Sequence, residues 1–100
     1  MNKFLIFFLL SFSFITFSQE KRSILRGKLM YRNSNVIAAN VINNSNQNNT
    51  ITDTNGEFEI LARVGDEIIF SSVEFKIRTV RITDEIIKKN RLVVEVNEKL

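Results

Sequence analysis

Apolar residues recur at every second position through most of the chain from Ser23 to Val96, which favours strands over helices. The first predicted strand covers residues 24–31, with Leu25 and Leu29 on one face and Arg26 on the other. Gly27 inside this strand indicates a bulge or a close approach by another segment. The pattern therefore predicts an all-β domain.

Turn-forming residues divide the remaining pattern into further strands. These strands are predicted over residues 36–42, 50–52, 57–62, 67–72, 76–82 and 92–96. Ala38 and Ala39 indicate close packing of the second strand, and the asparagine-rich stretch 43–49 is predicted to be a surface loop. A turn is predicted at residues 64–66, and a short helix is predicted to begin at Thr83 or Asp84.

Residues 50–62 contain the clearest predicted hairpin, with Asn55-Gly56 at its turn. Phe58, Ile60 and Ala62 then share one face, so we expect Phe58 to lie in the core. The same alternation makes Phe70 a second core residue.

The turn of this hairpin also resembles the start of a calcium loop, because Asp53, Asn55 and Glu57 alternate. Gly56 comes too early for such a loop, and no acidic residue follows at its closing position. We therefore predict that Asp53 and Gly56 shape the turn, with a calcium site as the alternative.

The first 18 residues have the organisation of a secretory signal peptide. A basic start at Lys3 precedes the apolar run 4–17, and small residues stand at Thr16 and Ser18. We predict cleavage after Ser18, leaving a single domain over residues 19–100; an uncleaved membrane anchor is the alternative. The apolar run is shorter than the roughly 20 residues that span a bilayer, so no membrane span is expected after cleavage.

Composition removes several functional classes. The chain has no Cys and no His, and it therefore has neither disulfides nor the commonest general base and metal ligand. Glu57 and Glu59 share a strand face but are expected to face solvent rather than to act as an acid–base pair. No catalytic residue, metal or other cofactor is predicted, and we expect a protein that is not an enzyme.

The net charge of +3, to which Lys3 contributes one unit, is spread along the chain. Lys76, Arg78 and Arg81 make either a basic stripe or, as we favour, the solvated outer face of a strand. The few aromatic residues beyond residue 18 fall at predicted core positions, so nucleic-acid binding is not expected.

The order of these motifs resembles the carboxypeptidase regulatory-like domain, which is found in many exported proteins of Bacteroidetes-type bacteria. The resemblance covers nearly all of residues 19–100. It rests on Gly27, Asn40-Val41, the Thr-Asp-X-X-Gly-X-Phe stretch of residues 52–58, Gly65-Asp66, Phe70-Ser71 and Phe75. The chain departs from the family pattern between the first two strands, where it lacks the usual Pro and Gly.

The resemblance implies a small seven-stranded transthyretin-like or Ig-like β-sandwich without catalytic residues. With the predicted signal peptide, we expect an exported accessory or interaction domain with a protein or glycan partner, located in the periplasm, at the outer membrane or outside the cell. The alternative is a truncated N-terminal domain of a TonB-dependent outer-membrane receptor or of an exported protease.

Overall fold

The structure is a computed structural model that describes residues 21–99. Within these residues the chain forms eight strands and one helix. The elements are β1 (Ser23–Tyr31), β2 (Ser34–Asn35), β3 (Asn40–Asn43), β4 (Asn48–Ile51), β5 (Glu57–Ala62), β6 (Glu67–Ser71), β7 (Arg78–Arg81), α1 (Asp84–Lys89) and β8 (Arg91–Glu95). The predicted signal peptide of residues 1–18 lies outside the described residues.

The first sheet is built around β1. Strand β5 pairs antiparallel with β1 on one side, in a register that places Leu25 opposite Ile60 and Gly27 opposite Phe58. Strand β8 pairs parallel with β1 on the other side, with Leu92 opposite Gly27. A parallel partner requires a crossover connection, and α1 lies within the one that leads into β8. Short β2 pairs with the end of β1.

The second sheet is antiparallel throughout, in the order β4-β3-β6-β7. Its central register places Val41 opposite Phe70. Ile68, which is also buried, lies opposite Val80 on β7.

The inward faces of both sheets contribute to one hydrophobic core, which confirms the predicted all-β, sandwich-like architecture. Phe58 of the first sheet and Phe70 of the second contact each other edge to face, with ring centroids 5.4 Å apart. Both are buried, as predicted. The core consists of Leu25, Leu29, Val36, Ala39, Val41, Phe58, Ile60, Ala62, Ile68, Phe70, Phe75, Ile82, Leu92, Val94 and Val96.

The predicted strand over residues 36–42 is wrong in its first half. Residues 36–39 cross from the first sheet to the second, and Ala38 turns the chain with a φ of 59°. The Thr52 hydroxyl holds this crossing, since it accepts from the Ala39 N–H (3.0 Å) and donates to the Val36 carbonyl (2.7 Å). Ala39 is fully buried as expected, whereas Ala38 is exposed.

The predicted pairing of residues 50–52 with residues 57–62 in a hairpin is also wrong. Strand β4 pairs with β3, whereas β5 pairs with β1 in the other sheet. The turn at 53–56 therefore connects the two sheets. The hairpin lies one step earlier, where β3 and β4 are joined by residues 44–47 with Gln47 at a φ of 65°. The predicted loop over 43–49 supplies strand residues at both of its ends.

The remaining elements follow the sequence closely. Thr83 caps α1 and accepts from the Ile86 N–H, and Asn90 ends the helix in the left-handed conformation. Seven strands were expected and eight are found in residues 21–99; the added strand, β2, has two residues and lies between the first two predicted strands.

Candidate functional site

Asp53 and Gly56 shape the turn at residues 53–56, as predicted, although this turn connects the two sheets and does not close a hairpin. The Asp53 Oδ1 atom accepts hydrogen bonds from the Asn55 N–H (2.8 Å) and the Glu57 N–H (2.9 Å). Gly56 has a φ of 74°, and a β-carbon there would lie 2.7 Å from the Leu29 carbonyl oxygen. The residues that resemble the start of a calcium loop thus form the hydrogen bonds that stabilise this turn.

A buried polar network, which the sequence did not reveal, closes one end of the core. The Asn43 amide donates to the Asp66 carboxylate (2.8 Å) and to the Leu61 carbonyl (2.9 Å). Arg22 binds the same carboxylate with two hydrogen bonds of 2.8 and 3.0 Å. The Arg63 N–H supplies a further bond to it.

This network determines the protonation of Asp66. Burial alone raises the pKa of Asp66, but the hydrogen bonds from Arg22, Asn43 and the Arg63 N–H, together with the charge of Arg22, outweigh burial. The pKa of Asp66 is therefore lowered, and the carboxylate is ionised at neutral pH. These hydrogen bonds join Asn43 of β3 and Arg22 before β1 to Asp66 in the β5–β6 turn, so we assign the network to stability.

An open cleft lies at the other end of the core. We call it the end cleft; its volume is about 630 Å³. Residues 34–38 and 71–75 form its two sides, and Tyr31 and Lys99 complete it. Half-buried Tyr31 packs against Phe75 with ring centroids 4.8 Å apart.

Aliphatic side chains are exposed on both sides of the end cleft. The Ser72 hydroxyl accepts hydrogen bonds from the N–H groups of Glu74 and Phe75, which folds the loop and leaves Val73 at its tip. Val73 is 91% exposed, and Ile37 across the cleft is 56% exposed. Ile37 lies in a stretch predicted as a strand and Val73 lies between two predicted strands, so the alternation of apolar residues did not indicate this surface.

Two cations lie beside the aromatic side of the end cleft. The Arg32 guanidinium is 5.2 Å from the centre of the Tyr31 ring, and the Lys99 ammonium is 5.5 Å from it. Both distances are within the range of cation–π attraction. The end cleft thus combines exposed aliphatic groups, an aromatic edge and positive charge.

The acidic and basic residues considered from the sequence do not converge on a site. Glu57 and Glu59 are exposed, as predicted. Lys76 pairs with Glu98 at 2.7 Å, and Arg81 pairs with Glu67 at 3.5 Å. The trio of Lys76, Arg78 and Arg81 is therefore partly neutralised and makes no uniform basic stripe.

Residues 21–99 hold no group of three or more acidic side chains placed to bind a metal ion. No helix in the same part of the chain is both long and apolar enough to cross a membrane. The sequence matches no family model and no curated protein.

Proposed function

We propose that this protein is an exported, non-catalytic interaction domain that binds a partner protein through the end cleft. The observation that carries the proposal is the exposure of Val73 and Ile37 on opposite sides of one cleft. Single exposed aliphatic residues are ordinary on protein surfaces, but two that face a common cleft beside an aromatic pair are typical of an interaction site. The apolar segment at residues 4–17 supports export.

The proposal includes membership of the transthyretin-like carboxypeptidase regulatory-like domains. In support, the residues of the shared pattern have structural roles in this chain. Thr52 holds the crossing between the sheets, Gly56 makes the turn, and Phe58 and Phe70 meet in the core. A pattern made of such residues defines a fold and leaves its surface open to different partners.

A protein is favoured over a glycan because the most exposed groups are aliphatic. Saccharides are bound by open aromatic faces and by hydrogen-bonding side chains, whereas Tyr31 is half-buried against Phe75 and covered by Arg32 and Lys99. Burial of Val73 and Ile37 in a protein interface removes apolar surface from water, which is the main favourable term in association.

The test is site-specific photo-crosslinking in the native host. A photoreactive residue at position 73 should give a discrete adduct that disappears when Ile37→Asp is added. The matched control is Val93→Asp, which places the same charge on the exposed face of β8, and the adduct should persist there.

Adducts that persist with Ile37→Asp, or no adduct at all, would reject the end cleft as the protein-binding site. The protein could instead bind host polysaccharide, with binding lost in Ile37→Asp and retained in Val93→Asp. That result would also reject a protein as the partner and would assign the end cleft to a saccharide.

A further inference from the structure

A second cleft lies on the outer face of the first sheet, where β1, β8 and the end of α1 meet. Its volume is about 370 Å³. Four cationic side chains and one carboxylate contribute to its lining, namely Arg26, Lys28, Lys89, Arg91 and Glu57. We call this surface the basic cleft.

The strand register brings two of these cations together. Arg26 of β1 lies directly opposite Arg91 of β8 in the parallel pair, and both side chains are exposed on the same face. Like charges in directly opposite positions destabilise a sheet. A bound anion between the two guanidinium groups would offset this repulsion, as the Glu59 carboxylate already does in part for Arg26.

The other two cations extend the same surface. Lys28 is two residues beyond Arg26 and therefore points to the same side of β1. Lys89 ends α1, and Asn90, with a φ of 50°, turns the chain directly into β8 at Arg91. The short connection thus holds Lys89 beside the sheet.

Nearby carboxylates leave most of this charge unpaired. Arg26 pairs with Glu59 at 3.4 Å, with both side chains well exposed. Lys28, Lys89 and Arg91 form no salt bridge within residues 21–99. By comparison, three surface cations outside the basic cleft, Lys76, Arg81 and Lys88, each have a carboxylate partner in the same part of the chain.

We propose that the basic cleft binds a phosphate or sulfate group. The two opposed guanidinium groups offer planar donors that match the oxygens of a tetrahedral oxyanion, and the two ammonium groups add charge around it. This inference is independent of the end cleft, since the two surfaces share no residue. The phosphate comes either from a small soluble molecule or from a lipid headgroup.

The test uses the protein recovered after export of the full chain, with inorganic pyrophosphate as the probe. Titration followed by amide chemical shifts should move signals of residues 26–28 and 89–91 saturably, and added salt should weaken the effect. The double variant Lys89→Glu with Arg91→Glu should bind pyrophosphate about tenfold or more weakly. Lys89→Gln with Arg91→Gln repeats the test without adding carboxylates.

The matched control is Lys21→Glu with Arg78→Glu, which makes the same change of net charge at exposed positions outside the basic cleft. Its affinity should stay within about twofold of the unchanged protein, since distant exposed charges are screened. Equal loss in both double variants, or shifts spread over the whole surface, would overturn the proposal. A core amide spectrum like that of the unchanged protein verifies folding of each variant.

Sedimentation with phosphatidylcholine vesicles containing phosphatidylglycerol separates the two sources. Sedimentation that the Lys89 and Arg91 variants abolish assigns the basic cleft to headgroup phosphate. Pyrophosphate binding without sedimentation assigns it to a soluble phosphate. Failure with both probes would overturn the proposal and would leave the end cleft unaffected.

Discussion

Gly27 lies directly beneath the ring of Phe58, and the absence of a side chain at Gly27 is what allows that ring to enter the core. A β-carbon at position 27 would overlap the Phe58 ring and would lie 2.6 Å from the Leu92 carbonyl oxygen. Three strands of the first sheet thus meet at this point, with Gly27 on β1, Phe58 on β5 and Leu92 on β8.

We expect Gly27→Ala to lower the free energy of unfolding by about 1–3 kcal/mol, because an added methyl group overfills a packed core. Urea denaturation measures this change. In a Phe58→Leu background the same substitution should cost less, since the ring is gone while the Leu92 contact remains.

Gly65→Ala is the control for this pair. Gly65 has a φ of 92°, and open space surrounds the position that a β-carbon would take there. The cost of Gly65→Ala therefore arises from the backbone and should not depend on residue 58. If Gly27→Ala lowers the free energy of unfolding equally with Phe58 and with Leu at position 58, the Phe58 ring does not occupy the space above Gly27.

Phe70→Ala should cost about 3–5 kcal/mol, because it removes a buried ring and leaves a cavity against Phe58. A domain of this size has little stability to lose, so much of the variant is expected to be unfolded. Thermal melting followed by circular dichroism measures the effect. Val73→Ala, at a 91% exposed position, should change stability by less than about 0.5 kcal/mol. A melting point for Phe70→Ala close to that of Val73→Ala would contradict the assigned core.

The inward faces of the strands were predictable because alternation records burial directly. Phe58, Ile60 and Ala62 are all buried, and their neighbours on β5 are exposed. The cap of α1 was likewise visible, since Thr83 and the two acidic residues after it make a local helix start.

Sheet membership was not predictable, because alternation does not say which strand is the neighbour. The turn around Asn55-Gly56 has the residues of a hairpin turn, yet it passes between the sheets. The decisive contacts are distant in sequence. The Thr52 hydroxyl forms hydrogen bonds with the backbone of Val36 and Ala39. These bonds satisfy backbone groups of residues 36–39 without a neighbouring strand.

The candidate surfaces were hidden for the same reason. Arg26 and Arg91 are 65 positions apart, and only the parallel pairing of β1 with β8 makes them neighbours. Asn43 belongs to an asparagine-rich stretch, and nothing in the sequence distinguishes it from the other asparagines there. Its burial depends on Asp66 in a different turn.

Asn43→Ala should cost about 1–3 kcal/mol, because it removes one hydrogen bond from each of two partners of the buried amide. Those partners are the Leu61 carbonyl and the Asp66 carboxylate. Asn49→Ala makes the same change at an exposed position of β4 and should alter stability by less than about 0.5 kcal/mol. Equal midpoints for the two variants in urea would rule out a stabilising role for the Asn43 amide.

Acid should weaken the domain through Asp66. The pKa of Asp66 is lowered from an ordinary value of 3.8, so the unfolded chain binds a proton at a higher pH than the folded one. The stability that this carboxylate contributes is fully present above the unfolded pKa and is lost as the pH falls through the folded pKa. The unfolding free energy should therefore decline from about pH 5 downward.

Arg22→Gln distinguishes the contribution of Asp66 to this loss of stability in acid from the contributions of the other carboxylates. Arg22→Gln removes the two hydrogen bonds and the charge of Arg22, which lower the pKa of Asp66. Burial, which raises this pKa, is then opposed less strongly, so the pKa of Asp66 should rise. The side-chain carboxyl carbon of Asp66, followed by NMR against pH, should titrate below 3.8 in the unchanged protein and at a higher pH in Arg22→Gln. The stability of Arg22→Gln should also fall less steeply between about pH 5 and pH 3, because the folded and unfolded pKa values of Asp66 then lie closer together. An unchanged Asp66 titration in Arg22→Gln would show that Arg22 does not hold the carboxylate in its ionised form.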